Sequence, residues 1–162
     1  MISIVNFKDL NGAQVDLTFG ENRFGMEARH VLVVLKFKGK WLLTRHSDRG
    51  IEFPGGKAEV GETIEEAAIR ETIEETGVTI SNLVKFAEYV VQSNVTFCKA
   101  VFTADIVHIE ENPVLHETEG VVWMTDSELT DCVELSFHMK DEGMSAIRKW
   151  VEAYEKRWNG WK

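Results

Sequence analysis

Proline and cysteine are scarce in this chain of 162 residues, with two of each. Cys98 and Cys132 make no metal-spaced pair, and they read as buried or free thiols rather than a disulfide. A long apolar run is also missing. The richest one, "HVLVVLKFKGKWLL", is cut by three lysines and a glycine and cannot span a bilayer. The opening "MISIVNFKDLNG" lacks the basic and then apolar pattern of a signal peptide. A cytoplasmic protein that does not contact membranes is expected. Positive charge is in short supply too: 18 Lys and Arg stand against 27 Asp and Glu, for a net charge of −9. Such a balance gives no general attraction for a DNA duplex. A phosphate substrate stays open, provided divalent cations sit between carboxylates and phosphates. Linkers, repeats and low-complexity tracts are absent as well. At 44% hydrophobic, the composition suits one globular domain over residues 1–162.

What the chain does have is β-forming sequence. "ISIVNF" and "QVDLTF" read as strands, the second by strict alternation. "HVLVVLKF" and "KWLLTRH" read as a hairpin around Gly39. "TISNLVKFAEYVVQ" and "VTFCKAVFTADIVHI" read as a long antiparallel pair, and "GVVWMT" as a further strand. A helix is expected from Thr63 as N-cap, with Glu66 completing a capping box, to Thr76, with Gly77 as its stop. Asp126 is expected to cap a short turn at "SELT". Met144, Ile147, Val151, Tyr154 and Trp158 follow helical spacing and predict an amphipathic C-terminal helix. The order predicts an α/β fold, a mixed sheet sandwiched between helices.

Glutamate is the other abundance, with seven between Glu59 and Glu75. Glu71, Glu74 and Glu75 are spaced i, i+3, i+4, which stacks three carboxylates on one helix face. Like charges so placed repel by a few tenths of a kcal/mol per pair. The plain alternative is a solvated helix face. Against it, Arg70 is the only basic residue in the helix, and Ile69, Thr72, Ile73 and Thr76 leave another side to be buried. The paired glycines of "PGGK" also let backbone approach a ligand closely. Clustered carboxylates are what a hard cation such as Mg²⁺ prefers. The cation supplies the missing positive charge, activates water and stabilises phosphate oxygens.

"GGKAEVGETIEEAAIRETIEETGV", Gly55 to Val78, resembles the Nudix box, G-x5-E-x7-R-E-U-x-E-E-x-G-U with U apolar. Gly56, Glu62, Arg70-Glu71, Glu74-Glu75 and Gly77-Val78 fall in place, and one apolar position holds Thr72 instead. Its methyl can still pack. The flanking elements are similar to the Nudix fold, and "GKWLLTRHSDRGIEFPGGKAEVGE" resembles the YtkD-like bacterial branch of MutT-like nucleoside triphosphate pyrophosphohydrolases. Some relatives of that branch also remove pyrophosphate from RNA 5′ ends.

The resemblance implies a Mg²⁺-dependent hydrolase, with Mn²⁺ as a substitute. It would cleave nucleoside triphosphates, including oxidised purines such as 8-oxo-dGTP, to monophosphate and pyrophosphate. Glu71, Glu74 and Glu75 would bind the ions, with a carbonyl of Gly55 or Gly56. Arg70 would orient a box carboxylate, and Glu62 would support the loop–helix junction through Arg70. The plainer reading of Arg70 is a surface pair with Glu66 or Glu74. A general base would come from the box or from a later loop, where Glu117 is the choice and Glu119 its competitor. Either could instead face solvent. Lys57 is a natural phosphate contact. Arg45 could touch phosphate or sugar, or form a surface ion pair, and His46 reads more readily as a strand-end residue. Phe137 and His138, ahead of the last helix, are candidates to contact the base, although Phe137 could equally be core. A nucleotide is the expected partner, an RNA 5′ end the alternative, and a monomer is favoured. A non-catalytic binding module would lack box glutamates, and all are present here.

Overall fold

The computed structural model describes residues 4–20, 24–115 and 118–159. Among the described residues the fold has ten strands, three α-helices and a 3-10 turn at Phe137–Met139. A six-stranded sheet contains β1 (Ile4–Lys8), β2 (Gln14–Phe19), β3 (His30–Val33), β7 (Gly55–Lys57), β8 (Val78–Gln92) and β9 (Phe97–Ile109). Their spatial order is β1-β2-β8-β9-β3-β7, and the β3–β9 pair is the parallel one. A second sheet is centred on β5 (Lys40–His46), flanked by β10 (Thr118–Met124), β4 (Lys36–Phe37) and β6 (Gly50–Glu52).

The run expected as one hairpin therefore serves both sheets. Val33 and Val34 donate to Pro54 and Phe102 carbonyls, Leu42 donates to that of Leu35, and only β4 pairs with β5. The chain crosses from sheet to sheet at Val34–Leu35. Period-2 alternation decides the packing of this run. Leu32 and Val34 join a core with Leu17, Trp41 and Leu43 beneath the C-terminal helix. Val31, Val33 and Leu35 join a second core with Phe102 and the first helix.

That first helix, α1 (Ile64–Thr76), has the expected capping box between Thr63 and Glu66, and Gly77 closes it at φ 74°. Its buried side matches the expected one at Thr72 and Thr76, with Ile69 half-buried, but not at Ile73. Ala67, Ala68, Thr72, Glu75 and Thr76 are buried, whereas Ile73 is exposed. One of the three stacked carboxylates thus lies on the packed edge of the helix. Thr72 in the apolar box position is fully buried, and its hydroxyl donates to the Ala68 carbonyl at 2.7 Å. The bond stays within the helix and spares the buried oxygen an unmet partner.

α2 (Asp126–Asp131) is capped by Thr125, one residue before the expected Asp126, again with a capping box through Glu128. Asp126 instead accepts from the Trp41 indole and Lys36, at 2.7 and 2.8 Å. α3 (Glu142–Asn159) buries Met144, Ile147 and Val151, and Trp150 stacks on Phe86 with ring centroids 4.1 Å apart. Both cysteines are free thiols, with Cys98 buried. Among the described residues no helix is long and apolar enough to cross a membrane.

Candidate active site

Three segments meet at the carboxylate face of α1: β7, the loop that follows it, and the start of β10. β7 lies at the edge of the six-stranded sheet, where Leu32 pairs with Gly55 and Val31 with Gly56. A side chain at either glycine would meet an atom already in place. A Cβ on Gly55 would overlap the Val31 carbonyl oxygen, and one on Gly56 would lie 2.5 Å from the Glu71 carboxylate. Close approach is thus the physical reason for the glycine pair.

Arg70 is the hub of the cleft. Its Nε and Nη2 donate to the two oxygens of Glu62 at 2.7 and 2.9 Å, a bidentate fork. Nη1 donates to Glu71 at 3.0 Å and Glu74 at 3.2 Å, and Nη2 also reaches the Lys57 carbonyl at 3.1 Å. The Arg70 fork holds the Glu62 carboxyl down at about 2, helped by the Glu59 backbone N–H. Arg29 braces the same loop through the carbonyls of Glu59 and Glu62.

Glu75 is buried deepest. Its carboxylate accepts from the Gly55 N–H at 3.3 Å, and its carbonyl accepts from the hydroxyls of Thr44 and Thr118. Burial pushes its carboxyl up to about 9, reinforced by a hydrogen bond and charge repulsion from Glu71. Burial also raises Glu71, against the opposing pull of Arg70. The two carboxyls share a hydrogen bond and cannot both be ionised cheaply. Among the described residues no three acidic, His or Cys side chains stand as a finished cation cage. Nevertheless the donor set fits a hard divalent cation: three carboxylates border one open cleft, and Arg70 bonds Glu71 and Glu74 but, among the described residues, not Glu75.

His46, Arg49, Lys57, Glu59 and Thr118 complete the cleft. The His46 Nδ1 accepts backbone N–H bonds from Asp48 and Arg49 at 3.1 and 3.2 Å, so this ring shapes the loop after β5. Arg45 turns away and pairs with Glu134 at 2.6 Å. Glu119 is exposed, and Glu117 lies outside the described residues.

A second cleft opens from the first across Gly55, Gly56 and Lys57. The rings of His30 and Phe97 stack there at 4.4 Å, and the Lys99 ammonium lies over the Tyr89 ring. Burial, Lys99 and Lys57 together push the His30 imidazole down to about 4, so it is neutral at pH 7. Arg49 and Glu52 line it too. His138 borders this cleft, whereas Phe137 lies in an adjoining apolar cavity with Phe7, Leu17 and Ile147. None of His30, Phe97, Lys99, Arg49 and Glu52 stood out in sequence. They come from β3, β9 and the β6 region, far apart in sequence, and form no motif.

The NUDIX domain family matches residues 26–152. The chain belongs to that family. YtkD of Bacillus subtilis, which carries the provisional name 8-oxo-dGTP diphosphatase, is 41% identical over 90% of this chain and 98% of its own. The crystal structure of the B. subtilis pyrophosphohydrolase BsRppH is similar with a TM-score of 0.82 and 38% identity, covering 92% of this chain and 97% of that one. A NUDIX hydrolase from Nitrosomonas europaea shares the fold, with a TM-score of 0.65 at 23% identity over 78% of this chain and 90% of its own. This Nudix chain is thus an enzyme of the hydrolase type, and the family works with divalent metal ions and nucleotide substrates.

Proposed function

We propose that this Nudix hydrolase cleaves nucleoside triphosphates to monophosphate and pyrophosphate with Mg²⁺, oxidised purines such as 8-oxo-dGTP among them. The observation that carries the reading is the acidic cleft itself: Glu71 and Glu74 held by an arginine that Glu62 anchors, with Glu75 held by the glycine strand. The three glutamates, with a carbonyl of Gly55 or Gly56, would hold the ion, and Mn²⁺ would serve in its place. When bound, such an ion supplies water activation and charge stabilisation at attacking and leaving oxygens. Arg70 orients Glu71 and Glu74 through its Nη1. Lys57, exposed at the rim, offers its ammonium to a phosphate. Glu117 is our assignment for the general base, next to Thr118 at the cleft wall. A Glu117→Gln variant with an unchanged rate and pH profile would place the base elsewhere.

The second cleft favours a second reading, RNA 5′-end pyrophosphohydrolysis. Lys57, Lys99 and Arg49 make a local cationic patch on a chain whose net charge is −9. Beside them, Phe97 and Tyr89 offer stacking faces. A chain leaving the acidic cleft needs such a patch. The likeness to a pyrophosphohydrolase supports this reading as well. The test is a comparison with Mg²⁺ of kcat/KM for 8-oxo-dGTP, GTP and a short 5′-triphosphorylated RNA, with the phosphate product identified. Preference for 8-oxo-dGTP with pyrophosphate released supports pool sanitising. Better turnover of RNA supports the second reading. Turnover of none of them overturns both.

A further inference from the structure

We propose that Arg49 is a substrate-binding residue, gripped by Glu52 along one edge so that its free edge meets the phosphate chain where the two clefts join. The inference rests on the hydrolase reading above and sharpens it.

The two arginines of the cleft differ in what they have left to give. Arg70 uses Nε, Nη1 and Nη2 on Glu62, Glu71, Glu74 and the Lys57 carbonyl. It is committed to the protein. A guanidinium has five N–H groups in a planar fork. Arg49 donates only from Nε and Nη2, to the two oxygens of Glu52 at 3.2 and 2.7 Å. Its other three N–H groups have no protein partner among the described residues. The Arg49 side chain is 42% exposed while that of Glu52 is 11% exposed, so the paired edge is the covered one.

The grip is rigid. Burial opposes the charge of Glu52, but Arg49 and the buried Ser136 hydroxyl nearby hold its carboxyl below the ordinary value. Residues 134–136 are tied to β6 by Ile51 N–H to the Glu134 carbonyl and Ser136 N–H to the Ile51 carbonyl, both 2.9 Å. A Cβ on Gly50 would overlap the Glu134 carbonyl oxygen, so β6 is pressed flat against this segment. From the other side, the Arg49 backbone N–H is held by His46.

Position then selects the ligand. Arg49 borders both the acidic cleft and the cationic, aromatic one. A nucleotide spanning the two places its base near the rings and its reacting phosphate near the carboxylates. The anionic atoms between them are phosphate oxygens, which a guanidinium fork fits. Glu52 is a positioning residue that acts through Arg49.

The test compares Arg49→Gln, Arg49→Lys, Glu52→Gln and the Arg49→Gln/Glu52→Gln double variant. Two quantities are read: kcat/KM on the best substrate, and calorimetric binding of an α,β-methylene nucleoside triphosphate against the monophosphate. Arg49→Gln is expected to lower kcat/KM about tenfold or more, the size of one lost charge-assisted hydrogen bond. Triphosphate binding should weaken by at least about threefold more than monophosphate binding, because the contact is to the phosphate chain. Arg49→Lys should recover part of the loss. The double variant should be no worse than Arg49→Gln if Glu52, although it borders the cleft, acts through Arg49. Arg49→Gln within about twofold of wild type, or equal losses for both ligands, would overturn the phosphate contact. Additive losses would overturn the role of Glu52. If Glu52→Gln does not fold, the exposed Arg49 variants still decide. A wild-type protein that turns over nothing sinks the hydrolase reading, while the binding arm still reports on Arg49.

Discussion

Two clefts meet at Gly55–Lys57 and share little else. The acidic one is built mainly from a contiguous stretch, the loop and helix from Gly55 to Glu75, and its charges are tied together by a single arginine. The cationic one collects His30 from β3, Tyr89 from β8, Phe97 and Lys99 from β9, and Arg49 and Glu52 from around β6. In the first, buried carboxylates are pushed toward neutrality. In the second, a histidine is. Each cleft therefore carries the sign of charge that it desolvates with difficulty, and a phosphate chain with its cation is complementary to both. In the proposed function, chemistry belongs to the acidic side and choice of substrate to the other.

The largest effect should come from the acidic side. Glu74→Gln is expected to lower turnover by more than about 100-fold, beyond what outer partners of a metal site are worth, with an unchanged melting temperature. EDTA should abolish hydrolysis and Mg²⁺ should restore it. Near-normal turnover by Glu74→Gln would remove this side chain from the metal set. Gly56→Ala comes next. Its Cβ would lie 2.5 Å from the Glu71 carboxylate, which must swing away. A loss of about 10–100-fold in activity is expected. Gly61→Ala, with a positive φ of 82° and open space around it, shows what backbone strain costs away from the carboxylate, whereas Gly56 has no positive φ. Near-normal activity in Gly56→Ala would mean that the Glu71 carboxylate gives way without cost.

The cationic side should answer differently. Phe97→Ala is expected to raise KM by about 5–10-fold, the size of one lost stacking face, and to change kcat less. Phe137→Ala should raise KM less than this, because the Phe137 ring lies in the apolar cavity against Phe7 and Ile147. A larger effect at Phe137 would move the base to that cavity and break the division of labour drawn between the clefts.

The contrast also explains what could be read from the sequence. The acidic cleft is local, so a spacing of six and eight residues along one loop and helix encodes it. The capping box at Thr63, the stop at Gly77 and the long β8–β9 pair are local in the same sense. Burial of Glu75 was not legible, because helical periodicity assigns faces while Thr44 and Thr118 arrive from the other sheet. The crossing at Val34–Leu35 was hidden for a related reason: one uninterrupted apolar run serves two sheets. Arg45 and Arg49 look alike in "TRHSDRG". Only the fold pairs one with exposed Glu134 and the other with buried Glu52.

The smallest effect is one of stability, and it concerns what the acidic cleft does to the fold without its cation. Glu75 titrates at its ordinary value when unfolded but near 9 in the fold, chiefly through burial. Between those values the folded state holds the extra proton, so stability should fall as pH rises from about 5 to 9. In EDTA the melting temperature of the wild type should decline across this window, while Glu75→Gln, which carries no proton to lose, should decline less and melt a few degrees higher at pH 8, at about 2–4 °C per kcal/mol. Mg²⁺ should then raise the wild type more at pH 8 than at pH 6 and leave Glu75→Gln nearly unmoved, since binding to the fold alone is what stabilises it. If the two proteins run parallel with pH, the charge on Glu75 is compensated by something other than a cation. Its burial would then be a matter of packing, and the acidic cleft would lose its deepest ligand.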